Sequence, residues 1–115
     1  MEILAWREGP STVIQPRGDL DIAATPRLRV AIDRALHTDE APCLILDLAE
    51  VPFCDSVGLG LLVHTLNRVR DARGRFVLAV PEGMITHLLT ITNLHRHFET
   101  YPDLDQARAS LATRT

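Results

Sequence analysis

Cys43-Leu44-Ile45-Leu46-Asp47-Leu48, followed by Val51-Pro52-Phe53-Cys54-Asp55-Ser56-Val57-Gly58-Leu59-Gly60-Leu61-Leu62, decides how this chain folds. The first run is almost wholly apolar, the pattern of a central strand covered on both faces. The second crosses a short loop and enters a helix at or near Ser56, whose oxygen suits an N-cap because it can accept a bond from an orphan amide one turn in. Between Val57 and Arg73 the apolar residues recur at helical spacing: Leu61, Leu62, Leu66, Val69 and Ala72 make one stripe, with His64, Asn67, Arg68 and Asp71 opposite. Val63 falls on the outer side and Leu59 at the boundary. Arg75-Phe76-Val77-Leu78-Ala79-Val80 is a second apolar strand, entered after Gly74 closes the helix. A strand, a helix and a strand in this order call for a crossover, so the two strands run parallel.

Working outward, Ile3 to Trp6 and Thr12 to Gln15 are strand-like runs joined by the turn Glu8-Gly9-Pro10. Arg17 to Asp21 follows as a loop. Thr25 then reads as an N-cap with Pro26 at the first helical position. Leu28, Ile32, Ala35 and Leu36 form the apolar face of that helix, and Arg27, Arg29, Asp33 and Arg34 lie away from it. Beyond the second parallel strand, a helix over Glu82 to Thr92 turns Ile85, Leu88 and Leu89 inward. A short strand spans Phe98 to Tyr101, and Asp103 with Gln106 starts a last helix that ends near Leu111. The fold class is therefore α/β: a single domain over residues 1–115, with a mixed, mostly parallel sheet of about five strands, an N-terminal β-hairpin and about four helices.

Composition narrows the function. The chain has 115 residues, 46% hydrophobic and 23% charged, which is ordinary for a globular domain and unlike a disordered one. No apolar run approaches the ~20 residues of a membrane helix, and the first residues lack the basic flank and cleavage site of a secretion signal. A cytoplasmic protein is expected. With 12 basic against 15 acidic residues, all the basic ones arginine, and 4% aromatics, it lacks the basic surface and stacking platforms that nucleic acid requires. Cys43 and Cys54 have no metal-ligand spacing and read as buried free thiols.

Gly58 and Gly60 stand out, because glycine in a first helical turn costs about 1 kcal/mol against alanine. Close packing of backbone on a neighbouring strand explains such a residue, and so does a functional role at the helix tip. The wider pattern Asp55-Ser56-x-Gly58-Leu59-Gly60, preceded by an apolar strand and followed by Leu61-Leu62, resembles the signature of STAS domains, especially bacterial anti-sigma factor antagonists. Gly18-Asp19-Leu20-Asp21-x-x-x-Thr25 resembles that family's Gly-Glu-Leu-Asp loop, and Pro81 to Leu94, Phe98, Tyr101 and the Ala107 helix resemble its C-terminal half. The likeness runs through essentially the whole chain. Asp19 replaces the usual glutamate, Cys54 an isoleucine or similar residue, and Asn93 a glycine; asparagine tolerates the left-handed conformation that glycine provides.

This resemblance implies a partner switch without catalysis or cofactor. The unphosphorylated antagonist binds an anti-sigma factor that is also a serine kinase of the histidine-kinase-like ATPase fold, freeing a sigma factor. The kinase modifies the motif serine, here Ser56, and a metal-dependent serine phosphatase reverses it. Asp21 and Asp55 would position the loop or touch the partner, and Gly58, Leu59 and Val63 would complete the contact. A phosphate brings about −1.5 to −2 charges and is welcome at a helix N-terminus, so its effect should fall on docking. Two like charges about 6 Å apart repel by roughly 2–3 kcal/mol at an effective dielectric near 20, on the order of a hundredfold in affinity.

Other readings have less to stand on. Ser56 lacks the Gly-x-Ser-x-Gly elbow, and none of His37, His64, His87, His95 and His97 is assignable as its base. His95-x-His97 could share a face on a strand approach but finds no third metal ligand. Nucleotide binding has no phosphate-loop motif behind it, although the glycine-bearing helix start could take a phosphate. Within the same family, a STAS subunit of a transporter or of a stress-signalling scaffold is the alternative.

Overall fold

The computed structural model describes residues 1–37 and 40–112. Strands β1 (Glu2–Glu8) and β2 (Ser11–Arg17) form the hairpin, followed by α1 (Thr25–Leu36), β3 (Cys43–Asp47), α2 (Ser56–Asp71), β4 (Arg75–Ala79), α3 (Met84–Ile91), a 3-10 turn (Leu94–Arg96), β5 (Glu99–Tyr101) and α4 (Leu104–Ala112). The five strands lie side by side in chain order; β1 pairs antiparallel with β2, and every later pair is parallel. The hairpin closes at Glu8 opposite Ser11, with Gly9 taking a left-handed φ of 58° in the turn.

A sheet that adds each parallel strand on the same side, through crossovers of one hand, keeps its crossover helices on one face. The core follows that rule. Ile14, Leu44, Leu46, Phe76 and Leu78 pack with Leu28 and Ile32 of α1, Leu61, Leu62, Leu66 and Val69 of α2, and Ile85 and Leu89 of α3. On the other face Val13, Ile45, Val77 and Ala79 meet α4 through Ala107, with Leu104, Leu111, Trp6 and Tyr101 at the margin. Alternation of the strand side chains between two apolar layers explains why β3 and β4 are apolar except at Arg75, which opens β4, and at Asp47, which is buried and accepts a hydrogen bond from Gln15 Nε2 at 2.8 Å. No helix among the described residues is long and apolar enough to cross a membrane.

Several local expectations change. Ala24, not Thr25, occupies the N-cap of α1; the Asp21 carboxylate accepts the Ala24 N–H at 3.0 Å, while the Thr25 hydroxyl donates to the Ile22 carbonyl at 3.1 Å. Ala72 is exposed as the C-cap of α2, and its place in the buried stripe goes to Thr65, which satisfies its hydroxyl on the Leu61 carbonyl at 2.8 Å. The left-handed residue closing α2 is Arg73 (φ 58°), with Gly74 N–H bonded back to the Val69 carbonyl at 2.8 Å. Gly74 is needed for another reason: a Cβ there would lie 2.1 Å from the Pro42 carbonyl oxygen. Asn93 does take the left-handed conformation, at φ 64°. α3 begins at Met84, two residues later than Glu82, because Gly83 donates its N–H to Thr86 Oγ1 at 2.8 Å. Cys43 is only half-buried; both cysteines are free.

α4 is fastened across the sheet by Arg108, whose guanidinium donates to both oxygens of Glu8 (2.6 Å and 2.9 Å), while the Trp6 indole donates to the same carboxylate at 2.7 Å. The Arg108 bond, ahead of the Trp6 bond, holds the Glu8 carboxyl below the usual glutamate range. A depressed acid contributes stability that is complete above its unfolded value and is lost as pH falls through the folded one. Because the pair is partly solvated, Glu8→Gln should cost only about 0.5–1 kcal/mol near neutral pH. That difference from wild type, followed by urea denaturation, should shrink as pH falls below the ordinary glutamate range of about 4.

Candidate functional site

The C-terminal edge of the parallel strands gathers the loops after β2, β3, β4 and β5. Two of them are stitched together. Gly18 N–H donates to the Glu50 carbonyl (3.0 Å), Leu20 N–H to the Phe53 carbonyl (2.8 Å), and Asp55 N–H to the Leu20 carbonyl (3.2 Å), so Leu20 and Cys54 form a parallel bridge beyond the ends of β2 and β3. Leu20 is fully buried beneath this seam.

Asp55 holds the seam to the helix. It is the N-cap of α2: Oδ1 accepts the Gly58 N–H at 2.9 Å, and Oδ2 accepts the Ile22 N–H at 3.0 Å. Ser56, expected as the cap, is instead the first helical residue. Its side chain is exposed, and no hydrogen bond among the described residues involves its hydroxyl. Asp55 takes the third N–H of the helix and leaves the first two, those of Ser56 and Val57, for solvent or an incoming anion.

The remaining residues singled out in the sequence divide between surface and support. Asp21 is half-buried; besides its carboxylate bond to Ala24, its carbonyl accepts the N–H groups of Ala24 (3.1 Å) and Thr25 (3.0 Å), so it shapes the loop that delivers Ile22 to Asp55. Gly58 is buried, and a Cβ on it would stand 2.4 Å from the Leu20 carbonyl oxygen and 3.0 Å from Cys54 Sγ. It therefore lies under the site as the point where loop and helix touch. Gly60 has open space around it. Leu59 and Val63 are half-buried and pack against the main core, leaving only part of each side chain to the outside.

Three exposed apolar residues escaped the sequence reading: Ile22 (68% exposed), Phe53 (43%) and Val57 (41%). Ile22 is bonded to Asp55 through its backbone, Val57 follows Ser56, and Phe53 belongs to the seam, so all three lie within the stitched segment. A loop residue and a first-turn residue carry no periodicity, and only the pairing of the two loops unites them. Cys54 is inert chemically: burial, reinforced by the Asp55 charge, pushes its thiol up to about 11. His95 sits in the 3-10 turn and His97 caps it, both exposed rather than on a strand. No group of three or more metal-ligating side chains occurs among the described residues.

Comparison with known proteins assigns this architecture. The sequence model of the STAS domain matches residues 4–107. The chain belongs to the STAS domain family. It is similar to the anti-sigma-B factor antagonist of Listeria monocytogenes, with 30% identity over 77 residues covering 67% of each protein. The chain spans 57% of the length of Thermotoga relatives that it matches at 34% and 31% identity. A crystal structure of an anti-sigma factor antagonist from Mycobacterium paratuberculosis superposes with a TM-score of 0.84 at 28% identity, covering 95% of this chain and 92% of that one. The Bacillus cell fate determinant SpoIIAA in its phosphorylated form shares the fold, with a TM-score of 0.74 at 20% identity and coverage of 96% and 99%.

The two glycines should respond oppositely to alanine. Gly58→Ala must push Leu20 backbone away and should lower stability by about 1–3 kcal/mol. Gly60→Ala should raise it by up to about 1 kcal/mol. Denaturation midpoints of the two variants check both signs.

Proposed function

We propose that this STAS protein is an anti-sigma factor antagonist operated by phosphorylation of Ser56. The observation that carries the reading is a serine hydroxyl at the first position of α2, exposed and unbonded, beside a helix cap already supplied by Asp55. Ser56 can change chemically without disturbing what holds the helix. A phosphate there meets the open amides of the first turn and the positive end of the helix dipole, so the fold tolerates it.

The partner in this reading is an anti-sigma factor with serine kinase activity, and a metal-dependent serine phosphatase resets the switch. Asp55 and Asp21 are positioning residues that hold the two loops. Ile22, Phe53 and Val57 offer the apolar contact, with the outer parts of Leu59 and Val63 contributing, while Gly58 lets the helix approach Leu20 beneath them. An apolar patch beside a neutral hydroxyl suits a protein partner until the hydroxyl gains charge. Docking would then have to desolvate a phosphate against apolar side chains, which disfavours the complex more strongly than like-charge repulsion alone.

Incubation with candidate anti-sigma kinases and ATP, followed by mass mapping, should place a phosphate on Ser56 and on no other residue. Ser56→Ala should bind such a kinase with and without ATP, and Ser56→Asp should bind at least tenfold more weakly. A kinase that binds all three forms alike overturns the switch. Ile22→Asp should weaken docking about tenfold by placing a charge in the apolar contact, with stability unchanged within about 0.5 kcal/mol, as for an exposed side chain.

A further inference from the structure

β1 is the edge of the sheet, with β2 on one side and no strand on the other among the described residues. In an antiparallel pair alternate residues turn N–H and C=O away from the partner, so β1 offers a row of free backbone groups. Edges are commonly blunted by lysine, proline, a bulge or brevity. β1 has none of these, and its charged residues, Glu2, Arg7 and Glu8, stand at its ends: it is seven residues long, pairs with β2 without interruption, and carries Ile3-Leu4-Ala5-Trp6 in its middle, with Leu4 45% exposed.

A groove of about 660 Å³ runs between this edge and α1. Small and aliphatic side chains line it: Ile3 and Ala5 from β1, Ala31 and Ala35 from α1. Arg7, Arg27 and Arg34 line it too, and none of the three has a carboxylate partner among the described residues. Two acids adjacent in sequence to these arginines are engaged elsewhere, Asp33 with Arg68 and Glu8 with Arg108. Arg7 reaches only the Gly9 carbonyl, at 3.5 Å. In a chain of net charge −3, three guanidinium groups that lack a carboxylate partner among the described residues form a local cationic site around one apolar trough.

We propose that this groove receives an extended acidic segment of a protein partner, added to β1 as a sixth strand. Its main chain pairs with the free edge, an apolar side chain enters the trough, and its carboxylates meet the arginines. Arg27 and Arg34 are seven residues apart on α1, about 10 Å along the helix axis. Same-face residues of a strand lie about 6.7 Å or 13 Å apart. Long arginine side chains therefore bridge to carboxylates four residues apart, with an apolar residue between them. A second copy of this chain fits less well, because an antiparallel β1–β1 joint would place both arginine rims on the same side of the seam.

The probe is the capped heptapeptide Thr-Glu-Thr-Val-Thr-Glu-Thr, titrated into the full chain and followed by amide NMR, amide exchange and the emission of Trp6, the sole tryptophan, which also lines the groove. Saturable binding that slows exchange of the outward β1 amides, falls at least tenfold when lysine replaces both glutamates, and falls at least tenfold in the surface variant Arg27→Glu/Arg34→Glu supports the proposal. The variant's denaturation midpoint should match wild type. Equal binding of the lysine peptide, indifference to the arginine reversal, or unprotected β1 amides overturns it. Two further results overturn it: concentration-dependent dimerisation that protects β1 without peptide, or decanoate competing for the groove while β1 amides stay unprotected. Ser56→Asp should leave peptide binding unchanged, which separates this site from the proposed switch.

Discussion

One carboxylate organises the working end of this domain. Asp55 accepts the Gly58 N–H of its own helix and the Ile22 N–H of the preceding loop, using a different oxygen for each. Hydrogen bonds to a charged acceptor contribute roughly 1.5–3 kcal/mol each, more than neutral ones. Losing the side chain would orphan a helix amide and release a loop at once. The loop is further tied by Leu20, bonded on both sides to the Phe53–Asp55 segment and buried where Gly58 lets the helix approach. Cap, strap and close contact are therefore one structure, and Ser56 and Ile22 owe their exposure to it.

The rest of the fold makes that end rigid. Three helices cover one face of the sheet and one covers the other, so the central strands are sealed and their carboxyl ends project only loops. Two of these loops share a seam, which removes most of the freedom a connecting segment ordinarily has. An apolar patch tied down in this way around a single hydroxyl would suit the proposed charge-operated contact: little conformational entropy would be spent on docking, and an anion added there would act on the partner instead of on the core. The groove beside β1 lies on a different border of the domain and draws on different chemistry, backbone pairing with fixed cations. The two surfaces can thus be occupied independently.

The order of strands and helices was legible because its signals are local: alternation or continuous apolarity in strands, helical spacing in α1 and α2, and turn residues between them. Ile85 and Leu89 are buried as their spacing implied. What the sequence obscured depends on contacts between distant segments. Asp55 and Ser56 are both good capping residues, and the Ile22 amide, 33 residues away, is what draws the aspartate into place. Thr25 looked like a cap because Asp21, four residues earlier, could not be seen to supply the carboxylate. Gly58 and Gly60 look alike in the sequence, yet one touches Leu20 and the other touches nothing. Ile22, Phe53 and Val57 become a patch only when two loops are paired.

Amide hydrogen exchange in Asp55→Ala tests this account most directly. If one carboxylate unites helix start and loop, the amides of Gly58 and Ile22 should lose protection together and to a similar extent. Those of the central strands, such as Leu46 and Leu78, should exchange as in wild type at matched global stability. Protection of Ile22 surviving the loss of Asp55, or falling only with the core, would contradict it.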